Sequence, residues 1–187
     1  MAEHVILFAG PMGAGKSTAI ESLSDIAVVS TEAANSDRGV VDKATTTVAL
    51  DYGEIVVDDT DKVRLYGIPG QRRFDFMWSI LMERAKALFL LVNNDANDPI
   101  GVMSEFLVEF GELCSRAPVV VGVSRGDIGT PPNLTEYADA VTQMHPGMLI
   151  PIFTVDPRDR DQMLTVLMTL IANIESRSMF EQAGVSE

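Results

Sequence analysis

The fold of this chain follows from one stretch near its start, Gly10-Pro11-Met12-Gly13-Ala14-Gly15-Lys16-Ser17. The stretch matches G-x-x-x-x-G-K-[ST], in which backbone N–H groups surround phosphates, the lysine reaches the terminal phosphates and the hydroxyl binds Mg²⁺. An apolar run at 5–9 precedes it and an amphipathic stretch at 17–23 follows. The motif therefore sits between a predicted strand and a predicted helix, which favours a P-loop NTPase. Phosphate binding is predicted for the whole motif and for Thr18 after it.

Further along the chain, apolar runs alternate with amphipathic stretches, which is typical of an α/β fold. The runs at 5–9, 88–92 and 119–123 predict central parallel strands, and helical spacing of apolar residues marks 102–113 and 164–174. The segment 48–68 is divided by an Asp-rich turn and predicts a hairpin, and a last strand is expected at 148–155. The pattern predicts a doubly wound, mostly parallel six-stranded sheet with one antiparallel edge strand and about five helices.

Composition limits the class of protein. The 187 residues predict one domain spanning 1–187, with 47% hydrophobic and 22% charged residues, and neither repeats nor a linker interrupt the pattern. Fourteen Lys+Arg against 27 Asp+Glu give a net charge of −13, which disfavours nucleic acid as a partner. The apolar runs are too short to cross a membrane. Cys114 is the single cysteine and is interpreted as a buried apolar residue, and we expect a cytoplasmic protein.

Two short segments flank the predicted hairpin and carry a family resemblance. Thr45-Thr46-Thr47 precedes it and Pro69-Gly70-Gln71 follows it. This order behind a phosphate loop resembles the Ras-like small GTPases. The segment Phe74-Asp75-Phe76-Met77-Trp78 resembles the bacterial branch, the gliding-motility GTPases and the conservon-type GTP-binding proteins. The resemblance implies the small G-protein fold and a regulatory switch that binds GTP/GDP and Mg²⁺. It also implies slow hydrolysis of GTP to GDP and nucleotide-dependent binding of protein regulators or effectors, roadblock-domain proteins among them.

The resemblance also implies roles for single residues. Thr47 would hold Mg²⁺ together with Ser17, the Gly70 N–H would bind the γ-phosphate, and Gln71 would orient the attacking water while Lys16 neutralises phosphate charge. Arg38 is either an internal arginine finger or a solvated loop residue.

The chain departs from the Ras-like pattern at three places. Gly67 stands where an acidic residue usually precedes x-x-Gly-Gln, so the carboxylate that orients the waters of Mg²⁺ is absent from that position. Ser124-Arg125-Gly126-Asp127 stands for the base-reading Asn-Lys-x-Asp, with Asp127 as candidate reader of guanine. Asp156-Pro157-Arg158 stands for the last base loop and reads equally well as a turn entering the final helix.

Two other functions remain open. The phosphate loop also resembles those of small-molecule or nucleoside-monophosphate kinases, but such kinases need an Arg-rich lid, and Arg125 is the one arginine between 117 and 157. A nucleotide-binding scaffold that has lost hydrolysis is the other alternative, and Gly67 favours it.

Overall fold

The computed structural model describes residues 2–30, 50–57, 61–69, 75–126 and 132–182. Within these ranges, seven strands form one sheet in the order β2-β3-β4-β1-β5-β6-β7, with six helices packed around it. The strands are β1 (Ala2–Ala9), β2 (Val29–Ser30), β3 (Asp51–Val56), β4 (Asp61–Gly67), β5 (Ala87–Asn93), β6 (Val119–Ser124) and β7 (Ile152–Thr154). The helices are α1 (Lys16–Leu23), α2 (Asp75–Arg84), α3 (Pro99–Glu109), α4 (Gly111–Arg116), α5 (Leu134–Met144) and α6 (Arg160–Gln182).

The sheet is largely parallel, as expected for a doubly wound fold. β1 pairs in parallel with β4 and β5, and β5, β6 and β7 continue the parallel half. The predicted hairpin is confirmed, because β3 runs antiparallel to β4 with Asp51 opposite Gly67. Two details of the prediction were wrong: the described part of the sheet has seven strands, and the antiparallel strand is not at its edge. The two-residue β2 pairs outside β3, and its exposed residues have no apolar pattern that would reveal it.

The two faces of the sheet are covered by different helices, which explains the uninterrupted apolar runs. Alternate side chains of β1 enter opposite core layers: Ile6 and Phe8 face α1 and α6, whereas Leu7 and Ala9 face the layer of α3, α4 and α5. Each of these four β1 residues is essentially inaccessible to solvent. A strand buried on both faces needs apolar side chains at every position, so its sequence loses the period of two.

The helical count also differs from the prediction. The apolar spacing over 102–113 indicated one helix, but α3 ends and α4 begins at Phe110, which is followed by Gly111. Glycine is a poor helix former, and the buried Phe110 ring anchors the break in the core. The last strand is shorter than predicted, since only Ile152–Thr154 pair with β6.

Cys114 lies on α4 and is fully buried, as its interpretation as an apolar residue requires. Burial raises the pKa of its thiol to about 11. In the described part of the chain, no helix is both long enough and apolar enough to span a membrane.

Candidate nucleotide site

The phosphate loop connects the end of β1 to the start of α1, as predicted. Gly10 and Gly13 have φ angles of 138° and 80°, values that L side chains rarely adopt. Gly15 is the residue that caps α1, and it brings no side-chain hydrogen bond to the N–H groups of the first turn. Those N–H groups and the positive end of the helix dipole are therefore available to an anion.

Gly10 fixes the loop against the sheet. A Cβ at Gly10 would lie 1.9 Å from the carbonyl oxygen of Leu91 in β5, whereas a Cβ at Gly13 would meet nothing within 4 Å. The loop thus approaches the backbone of the neighbouring strand at Gly10 and is open at Gly13. We conclude that Gly10 is required by its backbone angle and by this contact, and Gly13 by its backbone angle alone.

This difference predicts unequal stabilities for two matched variants. Gly13→Ala should cost about 1–2 kcal/mol of unfolding free energy, the usual penalty for an L residue at positive φ. Gly10→Ala adds a clash with backbone and should cost at least about 2 kcal/mol more, because the loop or β5 must shift. Urea unfolding of both nucleotide-free variants measures the difference. Equal losses would show that the close approach to Leu91 does not hold the loop in place.

Lys16 lies partly buried beneath the loop. Its Nζ donates hydrogen bonds to the carbonyl oxygens of Gly10 and Pro11, each at 2.8 Å. Burial lowers the pKa of Lys16 to about 8, and the carboxylate of Asp51 partly opposes that shift. The ammonium group is partly buried and bonded to two backbone carbonyls, so a phosphate placed on the loop would meet a poorly hydrated cation. Such a cation binds an anion more strongly than one on the surface.

Ser17, the predicted metal ligand, contacts a residue that sequence reasoning missed. Its Oγ donates a hydrogen bond of 2.5 Å to Oδ2 of Asp51, and Ser30 Oγ donates one of 2.7 Å to Oδ1. Hydroxyl and carboxylate oxygens are ligands that suit Mg²⁺. The donor atoms present at the start of α1 therefore fit this metal. Asp51 gives no sequence signal of its own, because its position depends on the pairing of β3 with β4.

The cavity next to the phosphate loop has a volume of about 580 Å³, which is within the usual range for a small-molecule site. Three segments distant in sequence meet there, and they include nine of the predicted binding residues: Gly13, Ala14, Gly15, Thr18, Ser124, Arg125, Asp156, Pro157 and Arg158. Sequence reasoning missed four further lining residues, namely Gly126, Thr154, Val155 and Gln162. The three candidate segments thus line one cavity.

Hydrogen bonds join the loop after β6 to the phosphate loop. Arg125 Nη2 donates to the Gly13 carbonyl at 3.0 Å, and Nη1 forms an ion pair with Asp95 at 2.8 Å. The hydroxyl of Ser124 lies 3.3 Å from the Ala14 carbonyl oxygen. Arg125 itself has a φ of 57°, which turns the chain sharply after the strand. Ser124 and Arg125 therefore position the phosphate loop, whatever they contact in a ligand.

The segment after β7 forms the opposite wall. Arg158 forms a two-pronged ion pair with the Asp156 carboxylate, with its Nη2 at 2.8 Å, and this hydrogen bonding lowers the pKa of Asp156 to about 2. A Cβ at Gly15 would lie 2.6 Å from Pro157 Cγ, so the segment touches the phosphate loop directly. The interpretation as a turn also applies, since Asp159 accepts hydrogen bonds from the N–H groups of Asp161 and Gln162 at the start of α6. The segment thus both lines the cavity and leads into α6.

Several predicted site residues lie outside the described residues, so the structure does not place them. They are Arg38, Thr47, Gly70, Gln71 and Asp127. The described elements nevertheless bound these segments: Asp51 begins β3 shortly after Thr47, and Gly126 lines the cavity immediately before Asp127.

Comparison with known proteins gives two results. Residues 27–167 match the family described as "Conserved hypothetical ATP binding protein", which is most of the chain but begins after the phosphate loop. An uncharacterized protein of Methanocaldococcus jannaschii, MJ1339, is 28% identical over 127 residues, which cover 68% of this chain and 73% of that protein. The family description agrees with the nucleotide binding that the phosphate-loop motif predicts.

Proposed function

The chain belongs to the family of conserved hypothetical ATP binding proteins, and within nucleotide binding we propose that it is a switch of the Ras-like kind. It binds a guanine nucleotide with Mg²⁺, hydrolyses GTP slowly to GDP, and changes its protein contacts with the state of the nucleotide. Nucleotide binding by a P-loop fold is what the family supports; the base, the hydrolysis and the switching are our proposal. The observation that carries it is the single cavity formed by the phosphate loop and the segments after β6 and β7.

Within this site, the chain supplies charge and position. Lys16 and the N–H groups at the start of α1 would hold the β- and γ-phosphates, and Ser17 with Thr47 would ligate the metal. Magnesium, when bound, would neutralise charge that develops on the phosphate oxygens. Gln71 would orient a water in line with the γ-phosphate, and the Gly70 N–H would bind that phosphate. Phosphoryl transfer needs little else from a protein, because it depends mainly on positioning and electrostatics.

The topology supports placing the two segments that flank the hairpin, 45–47 and 69–71, near the phosphates. Because β3 is antiparallel to β4, its first residue, Asp51, lies beside the last residue of β4, Gly67. The chain therefore enters β3 and leaves β4 at the same end of the sheet. The phosphate loop leaves β1 at this end too, because β1 is parallel to β4. Thr47 comes shortly before this pair in sequence, and Gly70 and Gln71 come shortly after it.

The distribution of basic residues weighs against the kinase alternative. Residues 132–154, which include α5 and β7, contain neither lysine nor arginine, so this part of the chain has no cations to close over a transferred phosphoryl group. The family description names ATP, so ATP is the nucleotide that competes with GTP in this proposal. Regulators or effectors, with roadblock-domain proteins as the first candidates, belong to the proposal through the resemblance alone.

Hydrolysis is tested with Gln71→Leu. The variant should bind GTP as the wild type does and release phosphate about tenfold more slowly or worse, because the side chain is assigned to the attacking water and not to the bound phosphates. Single-turnover phosphate release from preloaded protein measures the rate. Equal rates in wild type and variant would reject this role, and the absence of release in both would favour a nucleotide-binding scaffold that has lost hydrolysis.

A further inference from the structure

Gly67 leaves the phosphate-loop site without a carboxylate at the end of β4, yet the structure places one beside it. P-loop NTPases hold Mg²⁺ through the Ser or Thr of the loop and an acidic residue from a neighbouring strand. Asp51 begins β3 and is the register partner of Gly67. An antiparallel strand starts where its neighbour ends, so Asp51 lies at the end of β4 where other P-loop NTPases carry the acidic residue.

The two positions also share a face of the sheet. Residues directly opposite each other in an antiparallel pair project their side chains to the same side. A Cβ at Gly67 would lie 3.1 Å from Cβ and 3.2 Å from Oδ2 of Asp51, and 2.9 Å from Cδ1 of Ile20. Since Ile20 belongs to α1, the shared face is the one that α1 covers. Asp51 therefore occupies the space that a side chain at position 67 would need.

The contacts of Asp51 are those expected of a carboxylate that orients a metal ligand. Oδ2 accepts the hydrogen bond of Ser17 at 2.5 Å, and Oδ1 accepts that of Ser30 at 2.7 Å. A hydroxyl that donates its proton to a carboxylate keeps its lone pairs free to bind a metal ion. The bond thus prepares Ser17 to act as a metal ligand.

We propose that Asp51 is the positioning residue for Mg²⁺ in this protein, supplied by β3 in place of an acidic residue at the end of β4. Gly67 then leaves room for the Asp51 side chain, and its lack of a carboxylate does not indicate a lost metal site. The inference rests on the proposed function, because it requires a nucleotide bound with magnesium. It goes beyond that function by assigning the missing carboxylate to a residue on another strand.

The test compares nucleotide affinity with and without Mg²⁺ by titration calorimetry, using non-hydrolysable analogues of GTP and of ATP. The variants are Asp51→Asn, which keeps the shape of the side chain, and the relocation double variant Asp51→Gly with Gly67→Asp. Glu112→Gln is the charge-matched control, because Glu112 is exposed on α4. The quantity compared is the ratio of the affinity in magnesium to the affinity in chelator.

We expect Asp51→Asn to lower this ratio by about 10- to 100-fold, the usual cost of losing a residue that orients a metal ligand. In chelator the variant should bind the analogue as well as the wild type or better, because one negative charge near the phosphates is gone. The relocation variant should recover most of the ratio, and Glu112→Gln should not change it. A magnesium-specific loss with recovery would support the metal role.

Other results would overturn the inference. An unchanged ratio in Asp51→Asn, or an affinity that falls equally in magnesium and in chelator, would mean that Asp51 only ties β3 to α1. A wild type that binds an analogue without any effect of Mg²⁺ would overturn the inference and leave nucleotide binding intact. A wild type that binds neither analogue would overturn the inference and the proposed function together.

Discussion

Lys16→Ala is expected to bind nucleoside triphosphate at least about a hundredfold more weakly than the wild type. The ammonium group is partly buried under the loop and donates hydrogen bonds to the carbonyl oxygens of Gly10 and Pro11 at 2.8 Å. Bound phosphates would receive from it charge-assisted hydrogen bonds worth about 1.5–3 kcal/mol each, and two of them amount to a factor of about 100 or more. Calorimetry with the non-hydrolysable GTP and ATP analogues in Mg²⁺ measures the loss.

The control for this experiment is Lys86→Ala. Lys86 is exposed and immediately precedes β5, at the end of the sheet away from the phosphate loop, so the variant removes the same charge from a distant point. Its affinity should match that of the wild type. Unchanged affinity in Lys16→Ala would show that the loop does not bind phosphates. An equal loss of affinity in both variants would show that the loss reflects the change in net charge alone.

The second large effect concerns the base. GTP is expected to outcompete ATP by about 10²- to 10⁴-fold if Asp127 is the reader. A carboxylate accepts hydrogen bonds from both N1–H and N2–H₂ of guanine, whereas adenine presents no such pair of donors. Each buried polar group left unmatched costs about 1–3 kcal/mol, and two such groups give this range. Asp127 follows Gly126, which lines the cavity beside the phosphate loop.

Asp127→Asn should lose GTP and gain xanthosine triphosphate, because an amide can donate to the O2 of xanthine but no longer accepts two protons from guanine. Competition binding with GTP, ATP and xanthosine triphosphate on wild type and variant measures both changes. A wild type that binds ATP as well as GTP would reject the guanine assignment. It would agree with the description of the family as ATP binding and would return attention to the kinase alternative.

The parts of the fold that the sequence predicted well are those in which local pattern and burial agree. β1, β5 and β6 are continuous apolar runs because helices cover both faces of the sheet, and short runs of this kind are typical of central parallel strands. The phosphate loop was equally clear, since its glycines are demanded by backbone angles and by the contact with Leu91. The turn at 156–158, which the sequence predicted to lie near the phosphate loop, lines the cavity beside that loop.

The errors fall where local pattern carries little information. β2 consists of two exposed residues that become a strand only because β3 lies beside them. The division at Phe110 keeps the helical apolar spacing on both sides, so periodicity alone could not reveal it. The extent of β7 is set by its pairing with β6, and an apolar segment from 148 to 155 gave no indication that only three residues would pair.

Taken alone, the amino-acid sequence determined the class of fold and the place of the phosphate-loop motif between β1 and α1, because both depend on neighbours in the chain. The sequence also showed that position 67 has no carboxylate, which by itself indicated a weakened magnesium site. The tertiary structure decided where a carboxylate stands instead, since the register of β3 on β4 brings Asp51 to Gly67 and to Ser17. Strand register joins these residues through backbone hydrogen bonds, and in a hairpin it depends on the length and type of the turn, which the pattern over 48–68 did not specify to the residue.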